Sequence, residues 1–353
     1  MKKKSIALGL TLAMLVSLTA CGSKNNNANN GNNAAEDTTK VEFSVGMVTN
    51  VGGVNDQSFN QSAWAGLKNL RDNYGVNVSY LESNQESDYP TNLDKMLDNG
   101  NDLIWSVGFA MSSAAKNAAL TNMDQNYGII DETYGDETPE NMVCVMFRAQ
   151  ESSFLAGYVA GLTTKTDKVG FVGGIGSDII DQFEYGYRAG VDYAAKELGK
   201  EITVSIQYAE TFTDAAKGKA IATKMYSDGC DIIFHAAGSS GNGVIEAAKD
   251  SGNWVIGVDM DQYYLSPEAV LTSAVKRVDT VIELVSAEYL NGNNLGGTTL
   301  EYGLEDGAVG LPEENPNLDE AVYAKAMEVK EAIIKGDVTV PYNAETFATY
   351  LGQ

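Results

Sequence analysis

Histidine and cysteine are scarce in this chain of 353 residues. It has one histidine, His235, and three cysteines, Cys21, Cys144 and Cys230. Zinc sites are built mainly from cysteine and histidine, and histidine-based catalysis places a histidine beside a nucleophile, so a single histidine leaves little room for either. Cys144 and Cys230 lie in or beside apolar strand-like segments, where a buried thiol is more usual than a disulfide bond. We therefore predict no metal site and two buried free thiols.

Motifs of nucleotide-dependent enzymes and of hydrolases are also missing. Gly174-Ile175-Gly176 follows a predicted strand but lacks the third glycine of a dinucleotide-binding motif, and segment 238–243 lacks the lysine of a phosphate-binding loop. The chain has no G-x-S-x-G nucleophile motif. We predict a binding protein that uses no cofactor and is not an enzyme, which makes a hydrolase or a dehydrogenase on a similar α/β frame the least favoured alternative.

Basic residues are few. Lysine and arginine number 24 against 48 aspartates and glutamates, which gives a formal net charge of −24 at pH 7. Such a surface repels polyanions, so nucleic acid and phosphate-rich ligands are disfavoured. A neutral or cationic solute remains compatible with this charge.

The start of the chain has no hydrophobic run long enough for a mature membrane span. Lys2 to Lys4 precede the short apolar run Ile6 to Val16, and the segment Leu18-Thr19-Ala20-Cys21 resembles a bacterial lipobox. We predict a lipoprotein signal peptide over residues 1–20, cleavage before Cys21 and lipidation of its thiol. The alternative is an uncleaved N-terminal anchor.

Residues 21–39 are predicted to be a disordered tether. Seven asparagines lie between Asn25 and Asn33, and a segment with so few apolar residues cannot bury enough surface to fold. The folded part is therefore expected to begin near Lys40, held by the lipid anchor at the extracytoplasmic face of the cell membrane.

From residue 41 onward, short apolar runs alternate with amphipathic ones. This alternation predicts an α/β protein with parallel sheets covered by helices on both faces. The first series has predicted strands at 41–49, 76–82, 102–107, 127–131 and 144–147, and predicted helices at 58–73, 90–99, 111–121 and 151–162. The second has strands at 168–173, 202–208, 231–236 and 253–258, and helices at 179–197, 214–227 and 241–250.

The second series weakly repeats the first. Asp181-Gln182-Phe183 stands in its first unit much as the segment Asp56 to Phe59 stands in the opening unit. Two similar doubly wound lobes, with ligand held between their facing strand ends, would explain the repeat.

Further elements follow the second series: strands at 270–275 and 298–302, a helix at 278–289 and a final helix over 322–333. The chain is expected to cross back to the first lobe near 271–277 and to return near 303–310. This predicts lobe 1 at 40–147 and 274–303, and lobe 2 at 148–273 and 304–353.

The segment Val51 to Asn60, VGGVNDQSFN, is the clearest candidate for a ligand site because it joins a strand to a helix at a strand carboxyl end. Asp56 can accept hydrogen bonds and Phe59 offers a flat ring. A structural explanation is about equally good, since Asp56 could only cap the helix and Phe59 could begin its buried stripe.

Other strand ends have the same character, and a shared cleft between the lobes is the favoured explanation of their recurrence. The residues concerned are Gly108 and Phe109, Asp131, Phe212, Gly238 in GSSGNG, and Asp259. Asp259 and Asp261 in one turn fall well short of a calcium loop.

Together these residues resemble the basic membrane protein family of ABC-transporter solute-binding lipoproteins, especially its purine nucleoside receptors. The resemblance spans nearly the whole mature chain that would follow cleavage before Cys21. Its motifs are Asp56 to Trp64, Gly108-Phe109, Phe147-Arg148 with Glu151, Phe154 to Gly157, Phe212 to Lys219, Gly238 to Gly243, Gly257 to Asp259, and Ser273 to Arg277.

The resemblance implies a type I periplasmic-binding-protein fold, two doubly wound parallel-sheet lobes joined by hinge crossovers. It implies that Asp56 and Asp131 bind the purine edge, that Phe59 or Phe212 stacks on the base, and that Asp259 and Lys276 hold the ribose. The expected ligand-binding set is Asp56, Phe59, Asn60, Gly108, Phe109, Asp131, Phe212, Gly238, Asp259 and Lys276.

The expected function is capture of adenosine, guanosine or inosine and its delivery to an ABC permease and ATPase, by a monomer that is tied to the membrane through its lipid and binds no nucleic acid. The main alternative is a surface lipoprotein that acts as a ligand sensor or adhesin without transport. A permease and an ATPase encoded beside the gene would favour transport.

Overall fold

A computed structural model describes residues 42–352 of the chain. The predicted signal peptide 1–20, the tether 21–39 and the lipidation site Cys21 lie outside these residues. The strands of the described part are β1 Ser44–Val51, β2 Asn77–Ser83, β3 Leu103–Val107, β4 Asn126–Ile130, β5 Met142–Phe147, β6 Lys168–Gly173, β7 Thr203–Tyr208, β8 Ile232–Ala236, β9 Trp254–Asp259, β10 Val270–Lys276, β11 Thr298–Tyr302 and β12 Val309–Gly310.

Ten α-helices occur within the same residues. They are α1 Phe59–Tyr74, α2 Tyr89–Asp98, α3 Ser112–Thr121, α4 Ala149–Thr163, α5 Asp178–Leu198, α6 Ala215–Ser227, α7 Ser239–Ser251, α8 Val278–Leu290, α9 Glu320–Lys335 and α10 Ala344–Leu351.

The strands form two six-stranded sheets with matching connectivity. The first has the order β11-β5-β4-β3-β1-β2 and the second β12-β10-β9-β8-β6-β7. All pairings are parallel except that of β10 with β12, which is antiparallel. This arrangement confirms the predicted α/β class with two doubly wound sheets, and the carboxyl ends of each sheet's parallel strands share one edge. We call each sheet with its packed helices a lobe.

The chain crosses between the sheets at three places. After β5 it passes through Arg148 into α4, which packs on α5, and after β10 it passes through Arg277 into α8, which packs on α1. The third crossing, residues 303–308, joins β11 to β12. Backbone hydrogen bonds join the crossing segments to one another. The Arg148 amide donates to the Tyr302 carbonyl, and the Arg277 amide donates to the Ala308 carbonyl.

The predicted lobe boundary between residues 273 and 274 falls inside β10. This strand stays paired in the second sheet through Lys276, which lies opposite Val309. The exact division of the chain into lobes stays a prediction.

The predicted strands and helices are present, with ends within about three residues of those expected. Two elements were not predicted. Strand β12 has only two residues, too few for a pattern, and α10 has one buried apolar residue, Phe347. Its sequence signal is the cap: Asn343 accepts from the Thr346 amide, and the Thr346 hydroxyl accepts from the Asn343 amide.

Helices α4 and α5 pack very closely, and glycine makes this possible. A methyl group at Gly190 would lie 2.7 Å from the Tyr158 nitrogen and would collide with the Phe154 carbonyl oxygen. At Gly157 it would lie 3.0 Å from the Val191 nitrogen. Backbone therefore meets backbone at this contact, which ties the first crossing to the second lobe.

Both cysteines of the described part are buried free thiols, as predicted: Cys144 in β5 and Cys230 just before β8.

Candidate functional site

The carboxyl ends of strands from both sheets enclose one cavity. All ten residues expected to bind ligand line it: Asp56, Phe59, Asn60, Gly108, Phe109, Asp131, Phe212, Gly238, Asp259 and Lys276. The structure thus brings together side chains that are up to about 220 positions apart in the sequence. Whether each one contacts a ligand stays a prediction.

Asp131 and Asp259 occupy equivalent positions in the two sheets. Asp131 directly follows β4 and Asp259 ends β9, which are corresponding strands in the two sheet orders. Each has a φ of 63°, in the left-handed region that residues other than glycine seldom adopt. Strained residues of this kind concentrate at ligand sites, where the surrounding structure holds them in place.

Lys276, at the end of β10, is buried and paired with Asp131. Its Nζ lies 2.5 Å from Asp131 Oδ2. The ammonium group also lies 4.9, 5.1 and 5.7 Å from the ring centres of Phe59, Phe147 and Phe183. A carboxylate and aromatic faces compensate for the loss of water around the charge. The ring of Phe59 is therefore engaged with a cation in this structure.

Asp259 is the acid whose ionisation is most perturbed. Its pKa is raised to about 6, and burial is the largest cause. Lys276 and the hydrogen bond from Ser58 lower the pKa, whereas Asp56 and Asp131 raise it. The Ser58 hydroxyl, which comes from the first lobe, donates to Asp259 Oδ2. At pH 7 the carboxyl group is therefore mostly ionised, and donors from a ligand would stabilise its charged form further.

Asp56 caps helix α1. Its Oδ1 accepts from the amides of Ser58 (2.9 Å) and Gln61 (3.0 Å), and its Oδ2 accepts from the amide (2.9 Å) and the side-chain nitrogen (3.0 Å) of Asn60. These four bonds use the lone pairs of the carboxylate. Burial raises its pKa, although the hydrogen bonds from Asn60, Gln61 and Ser58 lower it. The capping interpretation of Asp56 thus holds here, while its carboxylate still borders the cavity.

Asn60 is fixed so that its oxygen is free. Its Nδ2 donates to Asn50 Oδ1 at 2.8 Å as well as to Asp56, and its own Oδ1 is buried without a hydrogen-bond partner. A buried acceptor without a partner is unfavourable unless a ligand supplies a donor.

Phe109 and Phe212 face each other from the two lobes. Their ring centres are 6.4 Å apart with an angle of 72° between the planes, an edge-to-face pair. Phe109 follows β3 and Phe212 follows β7, so each is set by the loop after a strand. A flat ring could be held between them once the rings turn toward parallel.

Nine further residues of the cavity wall were not in the expected binding set. Three of them lie in segments that were already candidates, Val51 and Gly52 in the segment Val51 to Asn60 and Ser239 in GSSGNG. Phe183 had a signal, because it belongs to the internal repeat, whereas Asn50 lies at the end of a strand that was assigned only to the sheet. The nine are Asn50, Val51, Gly52, Ile179, Ile180, Phe183, Ala236, Ser239 and Val258.

His235 has no place in the cavity wall. It is fully buried in β8, and burial lowers its pKa to about 4, so the imidazole is neutral at pH 7. Among residues 42–352, no group of three or more His, Cys, Asp or Glu side chains is placed to hold a metal ion. Within that same range, no helix combines the length and hydrophobicity needed to cross a membrane.

Residues 43–344 match the profile of a family described as Bmp, PnrA-like ABC transporter substrate-binding proteins. The chain belongs to the Bmp family. Family members bind a solute for an ABC transporter, so this Bmp protein is a solute-binding protein and not an enzyme, and it implies a permease as partner.

Relatives of this Bmp protein extend over nearly its whole length. It is 40% identical to the CD4+ T-cell-stimulating antigen of Listeria innocua, covering 97% of this chain and 99% of the relative. It is 42% identical to basic membrane protein A of Borreliella burgdorferi, over 85% of this chain and 88% of the relative. A crystal structure of an ABC transporter solute-binding protein from Aeropyrum pernix superposes with a TM-score of 0.77 at 25% identity, over 87% and 96% of the two chains. This likeness confirms the type I solute-binding fold.

Proposed function

We propose that this protein binds a purine nucleoside, adenosine, guanosine or inosine, between its lobes and delivers it to the permease of an ABC importer. The observation that carries the proposal is the presence in one cavity of a facing aromatic pair and an acid-lysine cluster. A nucleoside has the matching parts, a flat base and a hydroxyl-rich sugar.

The cluster of Asp131, Lys276 and Asp259 suits the ribose. Carboxylates accept hydrogen bonds from sugar hydroxyls and an ammonium group donates to their oxygens. The resemblance assigns Asp131 to the purine edge, but its ion pair with Lys276 supports a position beside the sugar instead. The raised pKa of Asp259 fits a site that gains donors when ligand arrives.

The aromatic pair suits the base. Stacking of a base on an aromatic ring contributes about 1–3 kcal/mol. Phe109 with Phe212 is favoured over Phe59, because the Phe59 ring lies under the Lys276 ammonium group. The free oxygen of Asn60 would accept from a ring N–H or amino group, and Asp56 would support it by holding its amide nitrogen.

The cavity disfavours phosphate. Three carboxyl groups, Asp56, Asp131 and Asp259, line it with one ammonium group, that of Lys276. A nucleotide would bring further negative charge next to these acids. Nucleosides are therefore expected to bind more tightly than their monophosphates.

We further propose that residues 1–20 are removed, that Cys21 carries the lipid anchor at the extracytoplasmic face, and that the protein acts as a monomer. The lipobox-like segment before Cys21 supports the first two statements. Two lobes of one chain enclose the cavity, which supports the third.

Calorimetry on the purified protein tests the ligand class. Adenosine, guanosine and inosine should bind more tightly than their monophosphates, the free bases or ribose.

Asp259→Asn should weaken nucleoside binding about five- to a hundredfold, because a buried ligand hydroxyl that loses its hydrogen-bond acceptor costs about 1–3 kcal/mol. The matched control is Asp261→Asn, an exposed acid two residues away that does not line the cavity, and it should bind as wild type does. Tighter binding of a monophosphate, or equal affinities for wild type and Asp259→Asn, would refute the assignment.

A further inference from the structure

The loop before α1 makes hydrogen bonds to the other lobe that do not involve the cavity. The Gln57 carbonyl oxygen accepts from Gln262 Nε2 at 2.8 Å, and Gln57 Oε1 accepts from the Tyr264 hydroxyl at 2.8 Å. Gln57 belongs to the first lobe, and Gln262 and Tyr264 follow β9 in the second. We call these three residues the latch.

The second lobe holds its part of the latch rigidly. Gln262 is fully buried. Its side-chain Oε1 accepts from the Val258 backbone amide at 2.9 Å, and its backbone amide donates to the Ser273 hydroxyl at 3.1 Å. Its Nε2 is the group left to reach across to Gln57. The Gln262 side chain is therefore preorganised, and little of its freedom remains to be lost when the lobes close.

Gln57 is held in an unusual backbone conformation at this contact. Its φ is 61°, in the left-handed region, where a residue other than glycine is disfavoured. In this conformation both its carbonyl and its side chain receive donors from the second lobe. The Tyr264 hydroxyl also lies 3.5 Å from Gln61 Nε2. The Tyr264 side chain is about half exposed where the two lobes meet.

None of Gln57, Gln262 and Tyr264 lines the cavity. Their bonds join the lobes without contacting the solute. We infer that the latch keeps part of the solute-free molecules closed and thereby raises the affinity for every solute by the same factor. The physical reason is that apparent affinity scales with the fraction of molecules already in the binding-competent state, and this fraction does not depend on which solute binds.

Tyr264→Phe removes the hydroxyl that reaches Gln57 and keeps the ring. The matched control is Tyr263→Phe, the neighbouring tyrosine, for which the described residues show no hydroxyl hydrogen bond and which does not line the cavity. Gln57→Asn is a second latch variant, since asparagine tolerates the left-handed conformation but is one methylene shorter.

Small-angle X-ray scattering without solute is the first measurement. Tyr264→Phe and Gln57→Asn should both have a larger radius of gyration than wild type and Tyr263→Phe. This measurement needs no ligand, so it decides on the latch even if calorimetry shows that wild type binds no nucleoside. Equal radii for all four proteins would overturn the inference.

Affinity is the second measurement, with adenosine and inosine as probes. Each latch variant should weaken both by the same factor, about two- to tenfold for one lost hydrogen bond, mainly through faster dissociation. The double variant should be no weaker than either single variant, because both substitutions remove the same bond. A change that differs between adenosine and inosine would mean that Tyr264 acts on the solute itself, and would also overturn the inference.

Discussion

The ionisation of Asp259 has a consequence for binding that can be measured. Its pKa is raised to about 6, chiefly by burial, and the charged groups that act on it are Lys276, Asp56 and Asp131. Below pH 6 the carboxyl holds a proton and loses acceptor strength toward ribose hydroxyls. We expect nucleoside affinity to fall as the pH is lowered from 7 to 5, by at most about tenfold per unit. Isothermal calorimetry over this range measures the slope.

Asp259→Asn is the control for this pH effect, because asparagine cannot titrate. Its affinity should be weaker but nearly constant over the same range. A profile as steep as that of wild type would assign the titration to another group, and Asp56, whose pKa burial also raises, would be the next candidate.

The same raised pKa determines how Asp259 changes the free energy of unfolding with pH. The folded-state pKa of Asp259, about 6, lies above its ordinary value of 3.8, so the folded state holds the proton more strongly. The contribution of this group to stability is therefore fully present below pH 3.8 and is lost as the pH rises through about 6. At neutral pH Asp259 serves ligand binding at the expense of stability.

At the scale of elements, the contact between α4 and α5 depends on the small size of Gly190. We expect Gly190→Ala to lower the free energy of unfolding by about 1–3 kcal/mol, because the added methyl group meets backbone atoms that cannot move aside independently. Denaturant unfolding of the two proteins measures the difference.

Gly176→Ala is the matched control for this substitution. A methyl group at Gly176 would have its nearest neighbour, an atom of the Tyr208 ring, at 4.0 Å, so stability should be nearly unchanged. If Gly190→Ala were as stable as the control, close backbone packing would not be what holds α4 on the second lobe.

At the scale of the whole molecule, the prediction concerns attachment to the membrane. We expect Cys21→Ser to abolish lipidation, since the thiol is the proposed acceptor, and to leave an unlipidated precursor or released protein. Fractionation of cells with mass spectrometry of the protein detects either form. A membrane-bound mature variant that keeps the lipid mass would contradict the lipobox assignment.

Much of the fold was readable from the sequence because its determinants are local. A short apolar run such as 168–173 predicts a buried strand, and helical spacing of apolar residues predicts a helix with one buried face. The chain order of these elements then implies parallel sheets, since strand and helix alternate. The short element 344–351 escaped because one buried residue, Phe347, makes no pattern.

The cavity was also predictable in outline. Strand ends that carry glycine, an acid or an aromatic residue are visible one at a time, and parallel topology places them at one edge. Phe109, Phe212 and Asp259 were found in this way.

Partnerships across the chain were decided by tertiary structure alone. The same acid can cap a helix, pair with a lysine or face a solute, and the sequence permits each. Only the packed structure commits Asp56 to the amides of α1, Asp131 to Lys276 at 145 positions' distance, and Gln57 to Tyr264 in the other lobe. The reason is that hydrogen bonds and ion pairs need atoms within about 3 Å. Local sequence patterns set the elements, but how two lobes meet is set by hinge and packing geometry that no local pattern encodes.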